Sequence, residues 1–125
     1  MSYTLFLDDI RFPEDVRYFY GSYKNVIICR SYDDAVWTVT HHGVPHFISF
    51  DHDLLQEHYI IGTGEKTGLT FADWFCNWVK YEKKDLPDNF GFFVHSQNPE
   101  GAAKIEKCMD NFLKQNRENT NGLVL

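Results

Sequence analysis

The chain has 125 residues, of which 43% are hydrophobic and 17% aromatic, and its formal net charge is -6. This length and apolar content predict a single domain, residues 1–125, with one core. The 12 Lys and Arg residues are scattered, which argues against a basic face for long duplex nucleic acid. No apolar run approaches the roughly 20 residues of a membrane span. The composition leaves small anionic ligands and nucleic-acid ends as candidate partners, and it does not indicate the oligomeric state.

The three cysteines bear on the compartment. Cys29, Cys76 and Cys108 are odd in number, far apart and surrounded by apolar residues. This pattern favours reduced thiols in the core over disulfides or a zinc site. No targeting segment opens the sequence. We therefore expect an unexported protein of the reducing cytoplasm that does not bind membranes.

Four short apolar runs predict buried strands, and polar residues follow each run directly. The runs are YTLFL (3–7), NVIICR (25–30), HFISF (46–50) and FGFFVH (90–95). Continuous apolar strands indicate burial on both faces, as in a parallel sheet.

Three intervening segments have apolar residues at helical spacing between capping signals. They extend from Ser31 to Gly43, from Thr67 to about Tyr81, and onward from Asn98 and Pro99. We expect residues 54–66 to form a loop beside the site. Residues 115–122 are polar, and we expect them to form a mobile connection. We expect the last residues, GLVL (122–125), to form either a short last strand or a frayed tail.

Alternating strands and helices predict a three-layer α/β domain with a parallel sheet. The right-handed crossover rule then favours the strand order 2-1-3-4. Ligands of such sheets bind beyond the carboxyl ends of the strands. The groups that follow the four strands are Asp8, Asp9, Arg30, Asp51, His52, Asp53, His95 and Ser96. Four separate segments thus deliver charged or titratable side chains to one edge, which is the strongest physical signal in the sequence.

A cluster of three carboxylates is expected at this edge. Asp8 and Asp9 follow the first strand and Asp51 follows the third, so their charges repel unless a cation lies among them. The sequence therefore predicts a divalent cation, Mg²⁺ or Mn²⁺. The alternative is that Arg11 and Arg30 neutralise the cluster as structural ion pairs.

Two histidines, His52 and His95, also follow adjacent strands. Imidazole titrates near neutral pH, so the pair could share general base and general acid roles at a phosphorus–oxygen bond. The alternative is that each only satisfies hydrogen bonds. The remaining histidines are interpreted as surface or packing residues: His41, His42, His46 and His58.

Helix starts supply further candidates. Ser96 and Asn98 precede one predicted helix and Thr67 precedes another, and free amides at helix N-termini favour anions. The alternative is helix capping alone. Gly101, in the first turn of its helix, would leave room for a ligand or a neighbouring segment.

The motifs LFLDDIRFP, ICRSYDDAV, ISFDHDL, TGLTFADWF and VHSQNPEG, in this order, resemble the cyclic-phosphate processing receiver family, an offshoot of the receiver fold. The similarity runs from about Leu5 to Leu113. Receivers place an acidic pair after the first strand, an acceptor aspartate after the third and a hydroxyl residue after the fourth, which Asp8 and Asp9, Asp51 and Ser96 match. The resemblance carries over to these four and to Arg11, Arg30, His52, Asp53, Thr67, His95, Asn98 and Gly101.

The sequence departs from the family pattern at two places. Ala102 follows Gly101 at a position where the family commonly has a basic residue, and this difference puts the mode of substrate binding in doubt. The fifth strand with its lysine is absent or reduced to GLVL, which argues against aspartyl-phosphate switching.

The resemblance implies an enzyme that opens a cyclic phosphate of a nucleotide or RNA end. In this hypothesis His52 and His95 transfer protons, and Arg11 and Arg30 hold the phosphate. Asp8, Asp9 and Asp51 either hold a cation or orient the histidines, and the remaining matched residues bind substrate. One alternative is a non-catalytic receiver-like module that binds a nucleotide or a partner protein, and another is phosphotransfer to Asp51.

Overall fold

A computed structural model of the chain describes residues 2–16, 25–54 and 66–122. Its sheet has four strands: β1 (Thr4–Leu7), β2 (Val26–Cys29), β3 (Phe47–Phe50) and β4 (Gly91–Val94). All pairs are parallel and the spatial order is β2-β1-β3-β4. The expected receiver-like α/β fold and its strand order are confirmed, and the described residues contain no fifth strand.

Within the described ranges, three α-helices accompany the sheet: α1 (Tyr32–His42), α2 (Gly68–Tyr81) and α3 (Pro99–Gly122). A 3₁₀ turn, Pro13–Asp15, follows β1. The sequence signals for the helix starts are confirmed by side-chain caps. Ser31 Oγ accepts from the Asp34 amide, Thr67 Oγ1 from the Thr70 amide, and Asn98 Oδ1 from the Gly101 amide. Gly43 ends α1 at a φ of 89°, which a glycine adopts without strain.

One expectation about the C-terminal part is wrong. Residues 115–122 are helical as part of α3, although their polar composition suggested a mobile connection. Gln115, Arg117 and Glu118 have high helix propensity, and no Pro or Gly interrupts the segment before Gly122. The apolar face of α3 anchors the helix, since Ile105 and Met109 are fully buried. The predictions for residues 55–65 and 123–125 lie outside the described residues.

The main core lies between the sheet and the three helices. Leu5, Leu7, Ile48 and Phe50 form one cluster with buried side chains of α1, α2 and α3. The alternate strand positions Phe6 and Ser49 are buried on the other face. In the part of the chain that the structure describes, no helix is long and apolar enough to cross a membrane.

The register of the sheet positions the functional edge. Leu7 pairs with Cys29 and with Phe50, and Phe50 pairs with Val94, so the four strands end at one level. The next residues extend the ladder: the amide of Asp8 donates to Cys29, that of Asp51 to Leu7, and that of His95 to Phe50. Asp8 and Asp51 therefore lie at the same edge of the sheet, as predicted.

Candidate functional site

Three carboxylates converge at the carboxyl edge of the sheet. Asp8, Asp9 and Asp51 each offer an oxygen, and these atoms lie within 4.8 Å of one another. Asp8 and Asp51 are buried, whereas Asp9 is partly exposed. The predicted acidic cluster is thus present in the structure.

Asp8 is surrounded by hydrogen-bond donors. Its Oδ1 accepts from the amides of Ile10 and Arg11, at 2.9 and 2.8 Å. Its Oδ2 accepts from Arg11 Nε at 2.8 Å and lies 3.0 Å from His95 Nε2. Burial alone would raise the pKa of Asp8, but the hydrogen bonds from His95 and the two amides, with the Arg11 charge, hold it well below its usual range. Asp8 is therefore an ionised anchor whose lone pairs are all occupied.

Asp51 has the opposite electrostatic situation. Its Oδ1 accepts from the His52 amide at 2.8 Å and lies 3.5 Å from Arg11 Nη2. Burial and the negative charge of Asp8 raise the pKa of Asp51, and the Arg11 charge offsets this only in part. The positive charge near Asp51 is therefore too small to offset its burial and the repulsion from Asp8.

His95 lies beneath Asp8 in the protein interior. Its side chain is 1% exposed. Nε2 faces Asp8 Oδ2 at 3.0 Å, Nδ1 lies 2.7 Å from Ser49 Oγ, and the ring stacks on Phe6 with a centroid separation of 4.8 Å. His95 is therefore an interior residue, which agrees better with the alternative that it satisfies hydrogen bonds than with direct access to substrate. Its ring fills space on the buried second face of the sheet, and both nitrogens are engaged there.

His52 lies at the surface of the same edge. Its Nδ1 is 2.8 Å from Asp53 Oδ1, and Asn98 Nδ2 donates to that same carboxylate oxygen at 3.3 Å. A Cβ atom on Gly101 would overlap the His52 imidazole, so the glycine lets the ring pack against the first turn of α3. The hydrogen bond from His52 is the main cause that lowers the pKa of Asp53. His52 Nε2 has no hydrogen-bond partner among the described residues.

The two predicted phosphate ligands differ in their surroundings. Arg11 bridges Asp8 and Asp51 and is 28% exposed. Arg30 instead donates from Nη1 to the carbonyl oxygens of Asp8 and Arg11, at 3.1 and 2.6 Å, and its guanidinium stacks over Phe12. Arg11 thus faces the acidic cluster, while Arg30 clamps the loop that presents it.

The polar residues at the helix starts are largely engaged in local structure. Thr67 Oγ1 caps α2, and Ser96 Oγ accepts from the Asn98 amide at 3.1 Å. The α2 start is held against the site, because the Gly68 amide donates to the His52 carbonyl at 2.8 Å. The structure supports capping for Thr67 and Asn98, and their contact with substrate remains a prediction.

A shallow cavity of about 330 Å³ opens over the cluster. The residues that line it are Asp8, Asp9, Ile10, Arg11, Asp51, Asp53 and Gln97. This volume is at the lower end of small-molecule sites and suits a ligand of about mononucleotide size. Sequence reasoning missed Ile10 and Gln97, and it missed Ser49, although a lone hydroxyl inside the apolar run HFISF was a usable signal.

Comparison with known proteins gives one family. A model of the cyclic-phosphate processing receiver domain matches residues 3–111, most of the chain. This chain belongs to that family. Searches of curated proteins and of solved structures give no significant match. Family membership links the chain to cyclic-phosphate processing, and the matched residues include every group of the site described above.

Proposed function

We propose that this cyclic-phosphate processing receiver domain is a phosphoesterase that opens the cyclic phosphate of a nucleotide or an RNA end. The observation that carries the proposal is the His52–Asp53 pair, because Asp53 lines one cavity with Arg11 and the acidic cluster at the edge of the sheet. Proton transfer, anion binding and charge stabilisation are the three needs of phosphoester hydrolysis, and each has a residue here.

His52 is proposed as the general base. With Nδ1–H donated to ionised Asp53, the imidazole keeps its lone pair on Nε2. That atom takes a proton from water as the water oxygen bonds to phosphorus. The ring P–O bond breaks with its electron pair on the leaving oxygen, a solvent water protonates that oxygen, and His52 returns its proton to the solvent. The products are then a phosphomonoester and a hydroxyl.

The roles of His95 and Asp8 are proposed as positioning. His95 is almost fully buried with both nitrogens engaged, so its geometry favours holding Asp8 over direct contact with substrate. Asp8 in turn fixes Arg11, whose partly exposed guanidinium would bind the phosphate. Proton donation by His95 to the leaving oxygen remains a prediction.

The charge of the site supports a divalent cation. Asp8, Asp9, Asp51 and Asp53 carry four negative charges, while Arg11 and Arg30 supply two positive ones, which leaves a net charge of two negatives with neutral histidines. An anionic phosphate would be repelled by this surplus. The three clustered carboxylates fit the oxygen ligands that Mg²⁺ and Mn²⁺ prefer.

Asp8 is a poor candidate for a direct ligand, because both of its oxygens already accept hydrogen bonds. A bound cation would supply stabilisation of negative charge on the phosphate oxygens. The protein's own contribution is to hold the carboxylates level at the strand ends and to keep Arg11 between Asp8 and Asp51.

A substrate panel tests the proposal. Purified protein is incubated with 2',3'-cyclic and 3',5'-cyclic mononucleotides, cyclic dinucleotides and RNA ending in a 2',3'-cyclic phosphate, with Mg²⁺, with Mn²⁺ and with EDTA. We expect ring opening of at least one substrate, detected by phosphorus NMR, and its loss in His52→Ala. His42→Ala is the matched control because His42 lies at the end of α1, outside the site.

Binding without turnover across this panel would overturn the enzymatic proposal. It would favour the alternative of a non-catalytic module that binds a nucleotide. The burial of His95 is the observation consistent with that alternative, since one of the two expected proton-transfer groups is withdrawn from the surface.

A further inference from the structure

Two exposed apolar side chains flank Arg11 in the loop after β1. Ile10 is 63% exposed and Phe12 is 50% exposed. Ile10 lines the cavity together with Arg11 and the acidic residues. The loop after β1 therefore presents an apolar residue, a phosphate-binding candidate and an aromatic ring in succession.

The backbone of this loop is held rigidly. The Asp8 carboxylate accepts from the amides of Ile10 and Arg11, and Arg30 donates to the carbonyls of Asp8 and Arg11. The Phe12 amide donates to Asp15 Oδ2 at 2.9 Å, and its carbonyl accepts from the Asp15 amide. An exposed aromatic ring on a fixed backbone loses little further entropy when a ligand binds to it.

The Phe12 ring already has a cation on one side. The Arg30 guanidinium carbon lies 4.7 Å from the ring centroid. A planar aromatic ring beside a planar guanidinium is a surface on which nucleobases stack, and such stacking tolerates any base. A small alkyl substituent would gain much less from this arrangement.

We propose that Phe12, with Ile10 and Arg30, is the nucleobase subsite of this domain, and that its ligands are nucleosides or RNA ends that carry the cyclic phosphate. This inference rests on the proposed cyclic-phosphate site and extends it to the rest of the ligand. The phosphate lies toward Arg11 and the base lies over the exposed part of the Phe12 ring. Specificity for one base does not follow, because the subsite contributes stacking rather than hydrogen bonds.

Equilibrium binding tests this inference independently of turnover. Calorimetry compares adenosine 2',3'-cyclic phosphate with glycerol 1,2-cyclic phosphate, which has the same five-membered ring and no base. The His52→Ala background keeps both ligands intact. One stacked base is worth roughly 5- to 150-fold in Kd, so the nucleotide is expected to bind more tightly by that factor.

Substitutions at Phe12 then locate the subsite. Phe12→Ala is expected to remove most of the advantage of the nucleotide, whereas Phe12→Trp keeps it. Tyr81→Ala is the matched control, because Tyr81 is 74% exposed at the end of α2 and also lies beside a cation, Lys80. It should change neither Kd.

Several results would overturn the inference. Equal Kd values for the two ligands in the background protein would refute the base subsite and leave the phosphate site standing. A Phe12→Ala variant that weakens both ligands equally would show that the ring only supports Arg30 and the loop. If neither ligand binds, both the subsite and the proposed function fail.

Discussion

His52 and His95 follow neighbouring strands at the same edge of the sheet, yet their surroundings differ. His95 is 1% exposed, lies between Asp8 and Ser49 and stacks on Phe6. His52 has a side chain that is 16% exposed, a single carboxylate partner and a glycine against its ring. Both imidazoles lie just beyond an apolar strand, but His95 directly follows β4, whereas Asp51 separates His52 from the end of β3. The fold separates them into an interior residue and a surface residue.

This difference teaches that position at a strand end does not determine the role of a histidine. A group that transfers protons needs one atom not held by the protein, and of these two histidines only His52 has a ring nitrogen without a partner among the described residues. A group with both nitrogens engaged can instead fix the orientation of its partner. We expect His52 to control the rate and His95 to control the stability of the site.

The largest expected effect is on the rate after His52→Ala. Loss of the general base should lower turnover of a cyclic phosphate by roughly 10²- to 10⁴-fold. The free energy of unfolding should fall by less than about 1.5 kcal/mol, because the side chain is only partly buried and belongs to no core cluster. Initial rates and urea unfolding of the same preparations measure the two quantities. Near-normal turnover in this variant would make His52 a bystander.

His95→Ala should show the reverse pattern. Removing the ring leaves a cavity beside Phe6 and takes a donor from buried Asp8, so the free energy of unfolding should fall by about 2–4 kcal/mol. Urea unfolding of His95→Ala and His52→Ala side by side tests the contrast. If His95 does transfer a proton, its substitution should also cost rate, and the double substitution should cost less than the product of the single effects.

The fold was largely predictable from the sequence because its signals are local. Apolar runs, caps at Ser31 and Thr67 and the glycine at position 43 fix the elements. Right-handed crossovers then fix the strand order. The end of α3 was not predictable in the same way, since the polar residues 115–122 carry no stop signal before Gly122 and depend on the packed part of the helix.

The site was predictable as a set of residues and not as a set of roles. The strand ends bring Asp8, Asp51 and His95 together regardless of which other side chains they contact. The partners come from side chains distant in sequence, such as Ser49 for His95 and Gly101 for His52. The sequence shows that His95 lies one position and His52 two positions beyond its strand, but the burial of His95 depends on partners from other segments and could not be assigned before the structure.

The same contrast extends to the two buried aspartates. The lowered pKa of Asp8 means that its charge stabilises the fold above the ordinary aspartate pKa of about 3.9, and this contribution is lost as the pH falls through the folded-state pKa. The raised pKa of Asp51 means that its charge opposes folding at neutral pH, and this penalty disappears as the pH falls through its own folded-state pKa.

Asparagine substitutions should therefore have opposite signs at neutral pH. Asp8→Asn should lower the free energy of unfolding by about 1–3 kcal/mol, since an amide cannot accept all four hydrogen bonds. Asp51→Asn should raise it by roughly 0.5–1 kcal/mol without added metal, and it should weaken any stabilisation by Mg²⁺. Thermal unfolding at several pH values, with and without metal, measures both. No loss of stability in Asp8→Asn would refute the assignment of Asp8 as anchor, and a loss in Asp51→Asn would refute the surplus of negative charge at Asp51.

The smallest expected effect concerns Gly101, the residue that admits the His52 ring to α3. Alanine usually favours a helix over glycine by about 1 kcal/mol, so Gly101→Ala should leave the stability unchanged or slightly raised. The added Cβ would displace the His52 imidazole from Asp53. Because that side chain can move aside, we expect the substitution to lower the rate of ring opening, by about 10-fold, rather than the stability.

Gly68→Ala is the informative comparison, since a Cβ there would meet the backbone carbonyl of Asp51, which cannot move aside. That variant should lose stability by about 1–3 kcal/mol. If Gly101→Ala keeps the full rate while Gly68→Ala is destabilised, the contact between Gly101 and His52 is packing alone and does not orient the base.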